Sequence, residues 1–179
     1  MAEQEQFLRH AMESYGGAVY RLALCRLQNT EDAEDVYQDV FLRLLSENRR
    51  DWDEEHRKAW LLRVTLNRCA DLQRFRLRRP VLALDEIPDL AGPADSEAAE
   101  LWEAVARLPE KQRTAVHLHY AEGYQTEEIA VMLNVPPSTV RTRLRRARIA
   151  LKNLLGGIDD DDEQISEPDR AYSAARQTH

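Results

Sequence analysis

A chain of 179 residues with a formal charge of -7 and 43% hydrophobic residues has room for modest cores. It has no run near the roughly 18–20 apolar residues of a membrane span, and its start, MAEQEQFLRH, lacks the basic and apolar segments of a secretory leader; a cytoplasmic protein is expected. Cys25 and Cys69 are isolated and read as buried thiols. His117 and His119 have no Cys or carboxylate at a familiar ligand spacing, so neither a metal nor a cofactor is expected.

Leu8, Met12, Tyr15, Val19 and Leu22 recur at steps of four and three, one face of a first helix that Gly16-Gly17 weakens by about 1 kcal/mol each relative to Ala, which leaves room for a bend. Asn29-Thr30 then supplies a helix start, and Glu31, Asp32, Glu34 and Asp35 follow where the positive end of the helix dipole favours negative charge. Ala33, Val36, Tyr37, Val40, Phe41, Leu44 and Leu45 form a broad apolar stripe on this second helix. Asn48 to Glu55 is polar and helix-poor, and a third helix is predicted from His56 to Arg78, before Pro80. Pro80 to Pro93 is rich in proline and acid, and the domain boundary falls there.

Beyond it the pattern predicts four helices: Ser96 to Arg107, Leu108-Pro109 to Ala121, Thr126 to Leu133, and Ser138 to Leu155. Thr126 is expected to cap the third of these, and Val135-Pro136-Pro137 to form the turn into the last. Strand patterns are absent. The expectation is an all-α chain of two small helical domains, 1–79 and 96–156, joined by a flexible acidic linker, 80–95, and followed by an acidic, disordered tail, 157–179.

The net charge conceals a segregation. Pro137 to Leu155 holds six basic residues and no acid; Arg68 to Arg79 holds five arginines against Asp71. Val81 to Glu100 carries six acids and no Lys or Arg, and the tail carries Asp159 to Glu163. Blocks of this kind suit polyanion-binding surfaces better than an evenly solvated exterior.

Thr126 to Leu151 has the plan of a helix-turn-helix: a short helix, a tight turn and a longer helix. Ile129, Ala130 and Leu133, with Val140, Leu144, Ala147 and Leu151, make the inner faces. Subtracting them leaves Arg141, Thr142, Arg145 and Arg148 outward, where arginine can donate two hydrogen bonds to guanine in the major groove. Ser138 and Thr139 open the same helix; Arg143, Arg146 and Lys152 are suited to phosphates, as is the Thr126 hydroxyl.

On the second helix Asp35, Gln38, Asp39 and Leu42 fall beside the apolar stripe, a surface fit for a basic partner helix. On the third, Arg63, Asn67, Asp71 and Arg74 follow one face, with Arg68 beside them; asparagine can pair with a base edge while arginines hold phosphates. No Ser/His/Asp or Cys/His grouping, phosphate-binding glycine loop or credible pair of catalytic acids occurs, so an enzyme is not expected.

Three segments resemble one family in order and spacing. DAEDVYQDVFLRL, Asp32 to Leu44, resembles the polymerase-binding helix in region 2 of bacterial sigma factors. WLLRVTLNRCADLQRFRLRR, Trp60 to Arg79, resembles the adjoining helix that engages the minus-10 promoter element. Leu108 to Leu151 resembles region 4, which binds the minus-35 element. With no region 3 between them, the pattern is that of the extracytoplasmic-function group of the sigma-70 family.

The resemblance implies that Asp35, Gln38, Asp39 and Leu42 meet the clamp helices of the largest polymerase subunit. It assigns Arg63, Asn67, Arg68, Asp71 and Arg74 to the minus-10 element, with Asn48 to Glu55 as the pocket for a flipped base and Trp60 as core. It assigns Thr126, Ser138, Thr139, Arg141, Thr142, Arg143, Arg145 and Arg146 to the minus-35 element. The flap of the second-largest subunit and an anti-sigma factor are implied as further partners, and the acidic linker is implied to thread toward the active-site cleft and RNA exit path. Pro137-Ser138 departs from the acidic or small residue followed by glycine common in the family. The alternative is a helix-turn-helix regulator that never joins polymerase, which leaves Asp32 to Leu44 unexplained.

Overall fold

The computed structural model describes residues 2–47, 50–78 and 96–156, and these are helical with short connections. The expected linker and tail lie outside the described residues, as do positions 48 and 49 of the expected pocket.

The first half is a bundle of α1 (Ala2–Leu27), α2 (Thr30–Glu47) and α3 (Glu54–Arg78). Tyr15 and Val19 of α1, Val36, Val40, Phe41 and Leu44 of α2, and Leu61 and Val64 of α3 fill its core. Each such side chain contributes about 1.5–3 kcal/mol on burial. The expected stripe on α1 holds except at Met12, which is exposed. The helix α1 runs unbroken through Gly16-Gly17. Gly16 serves a close approach, since a Cβ there would lie 2.8 Å from the Tyr37 hydroxyl of α2.

Helix starts are set by side-chain acceptors. The Asp32 N–H donates to Asn29 Oδ1 at 3.0 Å, and the His56 N–H donates to Asp53 Oδ1 at 2.8 Å. The latter begins α3 two residues earlier than its predicted start at His56, so Glu54 and Glu55 belong to the helix and not to the preceding loop. Asp32, placed by its position in the first turn of the helix, is also buried and paired with Arg76.

The second half contains α4 (Ser96–Ala106), α5 (Glu110–Val116), α6 (Thr126–Leu133) and α7 (Pro137–Leu154). The predicted helix to Ala121 is present, but its last turn, His117–Ala121, is π-helical. Thr126 is the first residue of α6 and does not cap it; Gln125 occupies the cap position, and its N–H donates to Glu128 Oε2 at 2.7 Å. Asn134 ends α6 in the left-handed region with φ 53°, and Pro137 starts α7 at the position where its missing N–H costs nothing.

The two halves meet. The core around Leu118, Ile129, Val140 and Leu144 also takes in Ala18 and Leu22 of α1 and Leu62 and Leu66 of α3. No described helix is long and apolar enough to cross a membrane.

Candidate nucleic-acid interface

Burial of Val140, Leu144 and Ala147 fixes the roll of α7 and leaves Ser138, Arg141, Thr142, Arg145 and Arg146 exposed. The Thr142 hydroxyl donates to the Ser138 carbonyl at 3.0 Å, which keeps it against the helix start. Arg141 lies 3.7 Å from Glu127 of α6, both exposed. Arg145 and Arg146 have no carboxylate within ion-pair distance among the described residues. Thr126, Thr139 and Arg143 are half-buried.

Burial, with the charge of Arg26 second, lowers the pKa of Arg143. Arg143 and Arg146 line an open hollow with Glu110, Lys111 and Gln112. Arg148, expected to face outward, turns in: it is half-buried and its Nη1 donates to the Tyr120 hydroxyl at 3.2 Å. The helix stripe reads its position as peripheral; the aromatic neighbour that draws it in comes from the preceding π turn.

On α3, Arg63, Asn67, Asp71 and Arg74 are exposed along one face. This face carries its own counter-charge. Arg74 donates to Asp71 at 2.9 Å, and half-buried Arg68 pairs with Asp39 of α2 and lies 3.8 Å from Asp71. Asp71 therefore holds two arginines in place. Trp60 is partly buried against the first core, edge-on to Trp52 at 5.8 Å. Buried Arg57 ties the loop before α3 down, donating to the carbonyls of Trp52 at 2.6 Å and Arg50 at 3.3 Å.

On α2, Asp35, Gln38 and Leu42 are exposed, Leu42 at 63%. Asp39 is half-buried by its pairing with Arg68. The α2 and α3 faces are thus linked by an ion pair, which the sequence spacing of either helix alone does not reveal.

A polar group between the halves has no sequence signature at all. Buried Arg113 donates to the carbonyls of Cys25, Arg26 and Leu108, and so caps the C-terminus of α1 from the other half. Burial lowers its pKa, and burial pushes the adjacent Cys25 thiol up to about 12. Glu122 is buried 3.4 Å from His117 and 3.1 Å from Lys58 of α3. Burial alone would raise its carboxyl, but the His117 hydrogen bond and the Lys58 charge outweigh it and hold the pKa at about 2. His117 and His119 meet protein partners: His119 Nδ1 lies 2.8 Å from the Tyr124 carbonyl.

The family model for sigma-70 region 2 matches residues 11–79, and that for sigma-70 region 4 matches residues 98–151. The chain is 34% identical over 163 residues to the ECF RNA polymerase sigma factor SigM of Mycobacterium tuberculosis, covering 88% of this chain and 79% of that protein. It is 29% identical to the ECF sigma factor SigW of Bacillus subtilis, over 80% of this chain and 86% of the relative.

Among solved structures, the sigma factor RpoE in complex with the anti-sigma factor NepR from Bartonella quintana shares the fold, with TM-score 0.66 and 22% identity over 84% of this chain and 98% of that one. CnrH in complex with the cytosolic domain of CnrY gives TM-score 0.56 and 26% identity, over 85% and 89%. The chain belongs to the sigma-70 family of RNA polymerase sigma factors. Within it, the chain falls in the extracytoplasmic-function group.

Proposed function

We propose that this sigma factor joins core RNA polymerase through α2 and directs initiation by reading two promoter elements with α3 and α7. Asp35, Gln38 and Leu42 form the contact with the clamp helices of the largest subunit, with Asp39 at its edge. Arg63, Asn67, Arg68, Asp71 and Arg74 serve the minus-10 element, and the Arg57-tethered loop borders the pocket for a flipped base. Extracting a base costs a few kcal/mol, which such a pocket offsets. Arg141, Thr142, Arg145 and Arg146 serve the minus-35 element, with Ser138, Thr139, Thr126 and Arg143 positioning the helix.

The single observation that carries this reading is the α7 face, where Arg145 and Arg146 are exposed on a helix-turn-helix with no carboxylate within ion-pair distance among the described residues. Polyanion is the counter-charge such a surface lacks. A regulator that never joins polymerase would account for residues 126–151 but not for the region 2 match over residues 11–79.

The chain acts in the cytoplasm and is not itself an enzyme; phosphodiester chemistry belongs to the polymerase. The flap of the second-largest subunit binds the second half. The acidic connector runs toward the active-site cleft, and an anti-sigma factor is a regulatory partner.

Run-off transcription with purified core polymerase over a promoter library tests the whole. Specific start sites are expected; a folded chain that directs core enzyme to none overturns the reading. Asp35→Arg is expected to abolish capture of the chain by core polymerase while leaving its helix content unchanged, and unchanged capture removes α2 from the interface.

A further inference from the structure

The hollow between α5 and α7 gathers cations. Lys111, Arg143 and Arg146 line it together with Pro109, Glu110 and Gln112. Lys111 and Arg146 are exposed and Arg143 is half-buried, and none of the three has a carboxylate within ion-pair distance among the described residues. Glu110, the acid on the rim, is already held by Arg26 at 2.9 Å and by Gln73 at 2.7 Å. Three like charges about one hollow repel one another, and an anion seated among them relieves that.

The same chain carries such an anion. Asp159, Asp160, Asp161, Asp162 and Glu163 are consecutive, whereas the six acids of residues 81–100 are spread over that whole stretch. A run of consecutive acids, drawn out, presents one charge every ~3.3–3.6 Å. That matches the spacing of about 3.4 Å between phosphates along one strand of duplex DNA. We propose that the run Asp159–Glu163 seats in the hollow of Lys111, Arg143 and Arg146 as an internal substitute for a DNA strand, and competes with duplex for the α7 cations.

The tether permits it. Arg146 and Arg143 stand eight and eleven residues before Leu154, the end of α7, which is about 12 and 17 Å back along the axis at 1.5 Å per residue. Asp159 and Glu163 stand five and nine residues after Leu154, a reach of at most about 17 and 30 Å. The run therefore covers the distance to both arginines. Gly156, at φ 72°, lies in the left-handed region that ends helices. Exposed ion pairs contribute only about 0–1 kcal/mol each. A short tether nevertheless holds the run near the hollow at an effective concentration on the order of millimolar, so a contact too weak to form between separate molecules suffices within one.

The competition rests on the DNA role of α7 proposed above; the seating itself is tested without DNA. A carbodiimide joins a carboxylate directly to a lysine amine, and mass spectrometry of the digested full chain locates the joint. Lys152, seven residues before Asp159, reports the tether alone, and Lys111 reports the hollow. The ratio of Lys111 to Lys152 links from residues 159–163 is expected to be at least ~5-fold higher at low salt than in roughly 1 M salt, where charges are screened beyond about 3 Å. Arg143→Gln combined with Arg146→Gln is expected to bring the low-salt ratio down to the high-salt value. Circular dichroism verifies folding, and Arg146→Gln alone serves if the double variant loses helicity. A ratio indifferent to salt and to these substitutions overturns the seating. So do links that grow with protein concentration, which join separate copies, and Lys111 links to residues 81–100 in place of 159–163, which make the connector the occupant.

In the DNA arm, Asp159→Asn, Asp160→Asn, Asp161→Asn, Asp162→Asn and Glu163→Gln are combined in the full chain. Affinity for a short mixed-sequence duplex, measured by fluorescence anisotropy at low salt, is expected to rise about tenfold. Glu3, Glu5, Glu13, Glu34 and Glu103 are all exposed, and changing these five to Gln removes the same net charge. That control is expected to gain less than about threefold. Equal gains in the two chains overturn the competition and reduce the acidic run to a matter of net charge. If neither chain binds duplex while the salt-sensitive Lys111 links persist, the DNA role of α7 falls, and the competition with it, but the seating stands.

Discussion

Two arginine-bearing helices, α3 and α7, face solvent in opposite electrostatic states. On α3, Arg68, Arg74 and Arg76 each sit against a carboxylate of the first half: Asp39, Asp71 and Asp32. On α7, Arg141 has a distant partner in Glu127, while Arg145 and Arg146 have none among the described residues. Exposed ion pairs are worth only about 0–1 kcal/mol each, so the Arg74–Asp71 pair is cheaply exchanged for a phosphate, whereas Arg76 sits against a buried carboxylate. The difference teaches that α7 carries cations open to an outside polyanion, whereas the paired α3 cations already have an internal counter-charge.

The sharpest break of this contrast is on α7. Arg145→Ala is expected to lower affinity for the cognate minus-35 duplex by about 2 kcal/mol, roughly 30-fold, with Arg141→Ala similar or smaller because of Glu127. Fluorescence anisotropy at fixed salt measures this, and capture by core polymerase should not change.

Acid tests how the two helices are held relative to each other. The Glu122 carboxyl is held at about 2, below its ordinary value of 4.5, so its contribution is complete above that value and is lost as pH falls from there through about 2. Urea unfolding is expected to lose about 3 kcal/mol across that window in wild type. In Glu122→Gln this part of the pH dependence should disappear, with the loss already present at neutral pH.

The smallest effect is expected on α3. Asp71→Asn releases Arg74 and one neighbour of Arg68, and should tighten binding to a mixed-sequence duplex by only about two- to threefold. A large gain would mean that the α3 cations are as poised as those of α7.

What the sequence reveals about this molecule follows from the range of the forces involved. Helical stripes and terminal signals are local, so α6 and the inner faces of α6 and α7 emerge from spacing alone: Ile129, Ala130, Val140, Leu144 and Ala147 are all buried as expected. The exposure of Asp35, Gln38, Arg63, Asn67, Arg141 and Arg145 is equally a matter of subtracting those stripes. The start of α3 and the cap of α6 were less legible because Asp53 and Gln125 compete with neighbours of similar chemistry. Contacts between distant segments left no trace. Lys58 and Glu122 are single charges on separate helices, and nothing within a turn of either indicates that they meet. Arg148 and Asp39 belong to the same class, drawn from their predicted faces by Tyr120 and Arg68.

Gly16 gives α1 a hold over the helix proposed to meet polymerase. Any side chain there must swing the Tyr37 ring, which is seated 4.8 Å from Phe41 in the first core, on the very helix that carries Gln38 and Leu42. Gly17, one position on, would meet only the movable end of Arg21. Adjacent glycines thus have unequal tolerance: a methyl group at one disturbs the seating of the docking helix from behind, and at the other merely nudges a solvent-facing guanidinium.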